Sequence, residues 1–177
     1  MYDALVLAGG QARRLGGADK PALVVGDLSL LDRVLAACAA AQRTVVVGPE
    51  RPTTRPVTWC REEPPGGGPV PALRAGLEHV TADRVVLLAA DLPFLTPDVV
   101  DLLAERAPAV LSDGLREQWL CSAWETASLR AAAAGAGPRL DNLLTCLSPE
   151  VVTWDGPGTP WTDCDTEEEL VDARRRA

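Results

Sequence analysis

The stretch from Leu5 to Lys20 constrains the fold of this 177-residue chain more than any other feature. It begins as an apolar run typical of a buried strand, breaks at the glycine pair Gly9 and Gly10, and then carries Arg14 and Lys20. Glycines let backbone N–H groups approach an anion closely, and the cations add positive charge. The stretch therefore predicts a strand that opens into a phosphate-binding loop.

This loop matches neither of the two commonest phosphate-binding motifs. Lys20 is followed by Pro21, whereas a P-loop has Ser or Thr after its lysine. The adjacent glycines Gly9 and Gly10 do not fit the spacing G-x-G-x-x-G either. The pattern disfavours P-loop NTPases and NAD-dependent dehydrogenases.

Lys20 is the only lysine among the 17 Lys and Arg residues of the chain. The chain is rich in Ala, Arg, Gly and Pro, and a compositional bias of this kind favours arginine over lysine. Lys20 is the exception to that bias. An ammonium is a compact point charge, so arginine does not replace it at a tight phosphate site. Its place in the glycine-rich loop favours a role in binding phosphate over chance retention.

Along the rest of the chain, predicted strands alternate with predicted helices. Strands are expected at 3–7, 44–47, 57–60, 84–90, 109–111, 119–124 and 150–154, and helices at 29–41, 72–80, 97–106, 126–134, 140–147 and 166–175. The Gly- and Pro-rich segment 62–71 is predicted to be a loop. The alternation predicts one domain over residues 1–177, a three-layer α/β/α sandwich with a mainly parallel sheet, in which 119–124 is an antiparallel candidate.

Composition narrows the possible partners. The net charge of −8 argues against nucleic acid, and no apolar run approaches the roughly 20 residues of a membrane span. The five cysteines are scattered without a C-x-x-C pair, which favours free thiols over a zinc site or a disulfide framework. The N-terminus enters a strand without a signal-peptide pattern, so we expect a cytoplasmic protein.

Asp91 is the second residue around which a site can be built. It follows the strongest predicted strand, 84–90, and ligands of open α/β sheets bind beyond the carboxyl ends of the strands. A carboxylate facing a phosphate-binding loop would repel the ligand unless a cation lay between them. Mg²⁺ is the natural candidate, because it binds one or two carboxylates together with phosphate oxygens. The alternative is that Asp91 only caps the turn that follows it.

Other acidic residues could complete the site. Asp163 or Asp165 could supply a second metal contact, and with Cys164 they also form the short pattern D-x-D. Glu62 and Glu63, which precede a glycine turn, could hydrogen-bond a base or a ribose. A solvated charge pair is the competing interpretation of the two glutamates.

The residues discussed so far resemble the sequence signature of a known family. The segment LAGGQARRLGGADKP at 7–21 resembles the signature L-A-G-G-x-x-x-R-M-G-x-x-K of sugar-nucleotide-pyrophosphorylase-like nucleotidyltransferases. The residues of this segment are most similar to those of the molybdenum cofactor guanylyltransferases, which are MobA-like NTP transferases. Three later segments resemble other elements of the family, and they occur in the same order. The segment GPVPAL at 68–73 resembles the G-P-L-A-G-L loop, and ADLPF at 90–94 resembles the C-D-x-P-[YF] element. The segment DCDTEEEL at 163–170 resembles the N-x-N-T-P-E-E-L ending.

The resemblance implies a Rossmann-like fold of the nucleotide-diphospho-sugar transferase type and a role for each matching residue. The triphosphate would be held by Gly9, Gly10, Arg14 and Lys20, and the nucleoside would be contacted by Leu7, Ala8, Glu63 and Gly68. Asp91 would bind Mg²⁺, and Asp165 would supply a second contact. Arg14, Lys20 and Asp91 would be the catalytic residues, and Arg139 would help to bind the acceptor.

The implied reaction moves GMP from GTP to a phosphate monoester, molybdopterin, and releases pyrophosphate. A phosphate monoester is already anionic near pH 7, because its second pKa is about 6, so no general base is needed. Departures from the family pattern leave the choice of base open: Pro71 and Ala72 replace Ala-Gly, Glu63 replaces an aspartate, and Gly48 lies near a position that often carries asparagine.

Several alternatives remain open from the sequence. A relative that uses CTP on the same acceptor, or GTP on phospholactate, would share every triphosphate residue. A metal-dependent glycosyltransferase would use Asp163 and Asp165 as its D-x-D motif without needing the Lys20 loop. A non-enzymatic nucleotide-binding adaptor would keep the binding residues but release no pyrophosphate.

Overall fold

The computed structural model describes residues 1–9, 19–135, 137 and 139–177. The strands are β1 (Asp3–Leu7), β2 (Val24–Val25), β3 (Leu28–Ser29), β4 (Thr44–Val47), β5 (Thr58–Cys60), β6 (Arg84–Ala89), β7 (Ala109–Ser112), β8 (Glu117–Glu125) and β9 (Glu150–Thr153). The helices are α1 (Leu30–Ala37), α2 (Pro69–Leu77), α3 (Pro97–Arg106), α4 (Thr126–Gly135), α5 (Leu140–Thr145) and α6 (Glu167–Arg176). In these ranges, no helix has the length and apolar character needed to cross a membrane.

Seven of the strands described above form one sheet in the order β5-β4-β1-β6-β8-β7-β9. All neighbours pair in parallel except β8, which is antiparallel to both β6 and β7. Six carboxyl ends therefore share one edge of the sheet, and the amino end of β8 lies at that same edge. This edge is called the carboxyl edge below. The mainly parallel sheet with an antiparallel strand over 119–124 confirms the prediction.

Helices cover both faces of the sheet because each strand of the central region is apolar on both sides. On one face α1 and α3 pack against sheet residues that include Val6 and Leu88. On the other face α2, α4 and α5 pack against residues that include Leu5 and Leu87. This arrangement is the predicted three-layer α/β/α sandwich.

A small third core lies beside the carboxyl edge. It joins α6 to the β2–β3 hairpin and consists of the buried residues Val25, Leu30, Cys164, Leu170 and Ala173. A capping box begins α6: Glu169 N donates to Thr166 Oγ1 over 3.2 Å, and Thr166 N donates to Glu169 Oε2 over 2.7 Å. This core holds the final segment of the chain against the region that follows β1.

One local expectation was wrong, and one local element was not predicted. Helix α2 begins at Pro69, so its first three residues fall within the predicted loop 62–71, because proline in a first turn loses no helical hydrogen bond. The β2–β3 hairpin was not predicted, since two-residue strands are too short to show an alternating pattern. Gly26 makes its tight turn possible with a φ of 64°.

Candidate active site

Three predicted site residues meet at the centre of the carboxyl edge. The Lys20 ammonium forms ion pairs with Asp91 Oδ2 and with Asp165 Oδ1, the latter over 2.5 Å. The side chains of Lys20 and Asp91 are only 13% and 17% exposed, whereas that of Asp165 is 53% exposed. Lys20 thus lies between two carboxylates, one from the middle of the sequence and one from its C-terminal part.

The electrostatics of this cluster keep Lys20 charged. Burial by itself lowers the pKa of the ammonium, but the charges and hydrogen bonds of Asp91 and Asp165 outweigh it. The pKa of Lys20 therefore lies above its usual value. A fixed positive charge at this place suits a residue that binds phosphate.

Backbone pairing places Asp91 and Lys20 together. Ala90 N donates to Leu7 O over 3.1 Å, so β1 and β6 stay paired up to the point where Asp91 leaves the sheet. Lys20 begins a 3-10 turn, Lys20–Ala22, in which Leu23 N donates to Lys20 O over 3.0 Å. The next residue, Pro21, is buried and anchors this turn.

Burial of Cys164 positions the third member of the cluster. Cys164 is fully buried in the small third core, while its neighbours Asp163 and Asp165 remain exposed. Asp165 contacts Lys20, and no hydrogen bond of the Asp163 side chain occurs in the described ranges. Partial desolvation of its carboxyl group, followed by the charges of Asp165 and Asp91, raises the pKa of Asp163. Of the two candidates, Asp165 is thus the one that shares the ammonium with Asp91.

The donor set fits Mg²⁺ better than a metal bound by protein alone. Within the described part of the chain, no group of three or more His, Cys, Asp or Glu residues could hold a metal ion. Asp91 and Asp165 offer hard oxygen ligands, and Mg²⁺ is usually held by one or two carboxylates plus substrate phosphates and water. The arrangement therefore suits a metal that arrives with a nucleotide.

The backbones of β1 and β4 approach each other closely beyond their last residues. Ala8 N, just after β1, donates to Val47 O of β4 over 2.8 Å. Gly48 N, just after β4, donates to Cys60 O of β5 over 2.9 Å. A Cβ atom on Gly48, whose φ is 151°, would lie 2.8 Å from the carbonyl oxygen of Ala8. Only glycine fits there, so the region proposed for the nucleoside is shaped by backbone on this side.

Leu7 and Ala8 contribute little side-chain surface to that region. They are 8% and 4% exposed and belong to the cores on opposite faces of the sheet. Gly9, the next residue, is exposed at the carboxyl edge. Contact of Leu7 and Ala8 with a nucleoside stays a prediction. Gly10 and Arg14, also predicted to bind the triphosphate, lie outside the described residues.

The structure distinguishes the two glutamates before the glycine turn. Glu62 is 7% exposed, and its Oε1 accepts a hydrogen bond from Gly66 N over 2.8 Å. Its Oε2 is buried without a hydrogen-bond partner in the described ranges, whereas Glu63 is exposed. Glu62 lies two residues beyond Cys60, the end of β5, and strand alternation could have singled it out.

The roles predicted for Glu63, Gly68 and Arg139 stay predictions. Gly68 is the N-cap residue of α2, with a φ of 101° and open space where a Cβ would be. The Arg139 side chain is 70% exposed and forms hydrogen bonds to Asp141 of 3.1 and 2.5 Å. Its described ion pair therefore lies on α5 and not in the Lys20 cluster.

Arg51 is a site-adjacent residue that the sequence did not reveal. Its Nε and Nη2 donate to the Asp19 carboxylate over 3.0 and 2.8 Å, and its guanidinium lies 5.8 Å from the ring centroid of Trp59. The arginine side chain is only 7% exposed. It ties the residue before Lys20 to the loop that follows β4, and no motif marks it among the other arginines.

Comparisons with known proteins identify the family of this chain. Residues 4–147 match the family described as the MobA-like NTP transferase domain. A molybdenum cofactor guanylyltransferase from Bradyrhizobium sp. is 31% identical over 98% of this chain and 92% of the relative. Another from Rhodobacter capsulatus is 29% identical over 97% of this chain and 94% of the relative.

A solved structure shows the same fold. A nucleotidyl transferase from Methanothermobacter thermautotroptrophicus superimposes with a TM-score of 0.84 at 18% sequence identity. The match covers 99% of this chain and 97% of the other. The full layered architecture, including the segment around Asp165, is therefore shared with a nucleotidyltransferase.

Proposed function

Because this chain belongs to the family of MobA-like NTP transferase domains, we propose that it is a molybdenum cofactor guanylyltransferase that transfers GMP from GTP to molybdopterin. Family membership makes the chain a nucleotidyltransferase. The choice of GTP and molybdopterin is supported by the names of the two relatives, which are similar to this chain over nearly its whole length.

The contact of Lys20 with Asp91 and Asp165 carries the proposal. A cation between two carboxylates, at the edge where a glycine-rich loop leaves the sheet, is suited to a ligand that is both anionic and metal-bound. When Mg²⁺ is bound, it would neutralise charge on the triphosphate and on the leaving pyrophosphate. Asp91 and Asp165 would hold it.

The chemistry needs one bond formed and one broken. An oxygen of the acceptor's phosphate monoester attacks the α-phosphorus of GTP, and the bond between that phosphorus and the pyrophosphate oxygen breaks. The nucleophile is anionic near pH 7, since its second pKa is about 6, and requires no general base. Lys20 and Arg14 would orient the triphosphate and stabilise the charge that develops on the leaving group.

A pyrophosphate-release assay with molybdopterin, MgCl₂ and each NTP in turn tests the proposal. We expect wild-type activity with GTP and a loss of about 10²- to 10³-fold in Lys20→Ala, as for loss of one charge-stabilising donor. Arg106→Ala is the matched control, because Arg106 pairs with Glu150 on the surface of α3 and β9. Lys20→Arg should not restore activity, since a guanidinium cannot replace a compact ammonium.

The outcomes separate the alternatives. Pyrophosphate release with CTP alone would show a cytidylyltransferase, and release only with phospholactate as acceptor would show a different guanylyltransferase. GTP binding without turnover for any acceptor would show a nucleotide-binding adaptor. Omitting Mg²⁺ and adding a chelator should abolish turnover. The cytoplasmic location expected from the sequence stays a prediction.

A further inference from the structure

We propose that the pterin ring of the acceptor binds in a cleft between the β7–β8 hairpin and the segment 161–163, stacked on Trp161 and paired with Arg116. The cleft has a volume of about 410 Å³ and is lined by Asp113, Arg116, Glu117, Gln118, Trp161, Thr162 and Asp163. The inference rests on the proposed function, because the acceptor is taken to be a pterin carrying a phosphate monoester. It adds the residues that would recognise that acceptor.

The position of the cleft fits the second substrate. Strand β7 ends and strand β8 begins at the carboxyl edge, and the segment after β9 returns to the same edge. Asp163 lines the cleft and lies two residues from Asp165, which contacts Lys20. Two residues span at most about 7 Å, so one end of the cleft adjoins the cluster proposed to bind phosphate.

A second described cavity lies at the opposite edge. Its volume is about 250 Å³, and it is lined by residues 41–44 and 55–58, at the amino ends of β4 and β5. Ligands of open α/β sheets bind beyond the carboxyl ends of the strands. The larger cleft, which falls within the usual range of about 300 to 1,000 Å³ for ligand sites, is therefore the better candidate.

The cleft has one aromatic lining residue among those described, Trp161. Trp161 is partly buried and packs against the core formed with α1 and α3, and it also lines the cleft. An indole held by the core on one side can stack a flat heterocycle on the other at little cost in side-chain entropy. A pterin is a flat bicyclic heterocycle and suits this surface.

The hairpin tip holds Arg116 and Gln118 in place. Asp113 Oδ1 accepts hydrogen bonds from the backbone N–H groups of Leu115 and Arg116 over 2.7 and 2.8 Å, and its Oδ2 accepts one from Gln118 Nε2 over 2.9 Å. The Asp113 carboxylate is thus occupied within the hairpin. These contacts fix the backbone from which Arg116 extends.

Arg116 supplies a cation to this half of the carboxyl edge. Its guanidinium takes part in no ion pair or side-chain hydrogen bond in the described ranges, unlike those of Arg51, Arg106 and Arg139. A guanidinium can pair with the acceptor's anionic substituents or stack on its ring. The exposed carboxylate of Glu117 can accept the ring N–H groups of a pterin.

The test uses the full chain and two readouts. In the first, KM and kcat for molybdopterin and KM for GTP are measured in Trp161→Leu and Arg116→Ala, with Arg106→Ala as the charge-matched control. We expect the KM for molybdopterin to rise tenfold or more in both variants while the KM for GTP stays within twofold of wild type. Trp161→Phe, which keeps an aromatic ring, should recover most of the loss.

In the second readout, 6-hydroxymethylpterin phosphate is titrated by its fluorescence, which requires no turnover. We expect binding to wild type, weakening of tenfold or more in Trp161→Leu and Arg116→Ala, and no displacement by GTP. An unchanged affinity in both variants, or displacement of the probe by GTP, would overturn the acceptor cleft. Failure of wild type to release pyrophosphate, with probe binding still lost in the variants, would overturn the proposed function alone.

Discussion

The carboxyl edge of the sheet has two halves that are built differently. Beyond β1, β4 and β5, the proposed nucleotide half is shaped by backbone, as the contact between Gly48 and Ala8 shows. Beyond β7, β8 and β9, the proposed acceptor half is shaped by side chains such as Trp161 and Arg116. The Lys20 cluster lies at β6, between the two.

This difference has a chemical reason. A triphosphate is the same in every NTP and can be bound by main-chain N–H groups and a few charges, which requires glycines close together in sequence. An acceptor is recognised by its own shape and needs specific side chains. Those side chains come from segments far apart in the chain, 113–118 and 161–163.

The strongest test of the division acts at its centre. Asp91→Asn removes one of the two carboxylates that contact Lys20 and one predicted metal ligand. We expect kcat/KM to fall by about 10²- to 10³-fold, the scale for loss of one charge-stabilising group, and the Mg²⁺ requirement to rise. Asp98→Asn, an exposed acid on α3, is the control. An unchanged Mg²⁺ titration would remove Asp91 from the metal site.

Gly48→Ala tests the nucleotide half. The added Cβ would press on the Ala8 carbonyl at 2.8 Å, so the ends of β1 and β4 must move apart. We expect a loss of about 1–3 kcal/mol in unfolding free energy and about a tenfold rise in the KM for GTP, with the acceptor KM unchanged. Denaturant unfolding and steady-state kinetics measure both. Gly137→Ala, where a Cβ would meet nothing within 4 Å, should behave as wild type.

Asp113→Ala tests the acceptor half and leaves the side chains of Arg116 and Trp161 unchanged. It removes the acceptor of three hydrogen bonds that hold the hairpin tip. We expect the acceptor KM to rise by about three- to tenfold, the equivalent of one lost hydrogen bond, and the GTP KM to stay constant. An equal rise in both constants would contradict the separation of the two halves.

The smallest effect is a pH dependence of the same hairpin. Hydrogen bonds from the backbone N–H groups of Leu115 and Arg116 are the main cause that lowers the pKa of Asp113 below its ordinary value of 3.8. A lowered folded-state pKa gives stability that is present above pH 3.8 and lost as the pH falls through the folded pKa. NMR should show the amide resonances of Leu115 and Arg116 shifting together with a midpoint below 3.8. A midpoint at or above that value would contradict the hydrogen-bonded tip.

Much of the fold was predictable, because apolar strands and amphipathic helices alternate along most of the chain. The predicted starts of the helices at 29 and 166 coincide with Ser29 and Thr166, the N-cap residues of α1 and α6. The start of α2 at Pro69 was missed because prolines suggest a loop as readily as a first helical turn. The hairpin of β2 and β3 was missed because its strands are too short to have a period.

The site could be predicted only where chemically distinctive residues follow a predicted strand. Lys20 and Asp91 could be paired because parallel strands bring their carboxyl ends to one edge. The choice between Glu62 and Glu63 depended on which side chain the turn buries, which composition does not report. Arg51 and Asp19 form a hydrogen-bonded ion pair, and no local sequence pattern predicts that these two residues meet.

By itself, the sequence determined the layered fold, the family and the central residues Lys20 and Asp91, since these depend on periodicity and on contiguous motifs. Only the tertiary structure decided that Asp165 shares the Lys20 ammonium, that Glu62 is the buried glutamate, and that Trp161 and Arg116 line one cleft. The physical reason is that these relations join residues distant in sequence, and packing of the small third core and the antiparallel β8 brings them together.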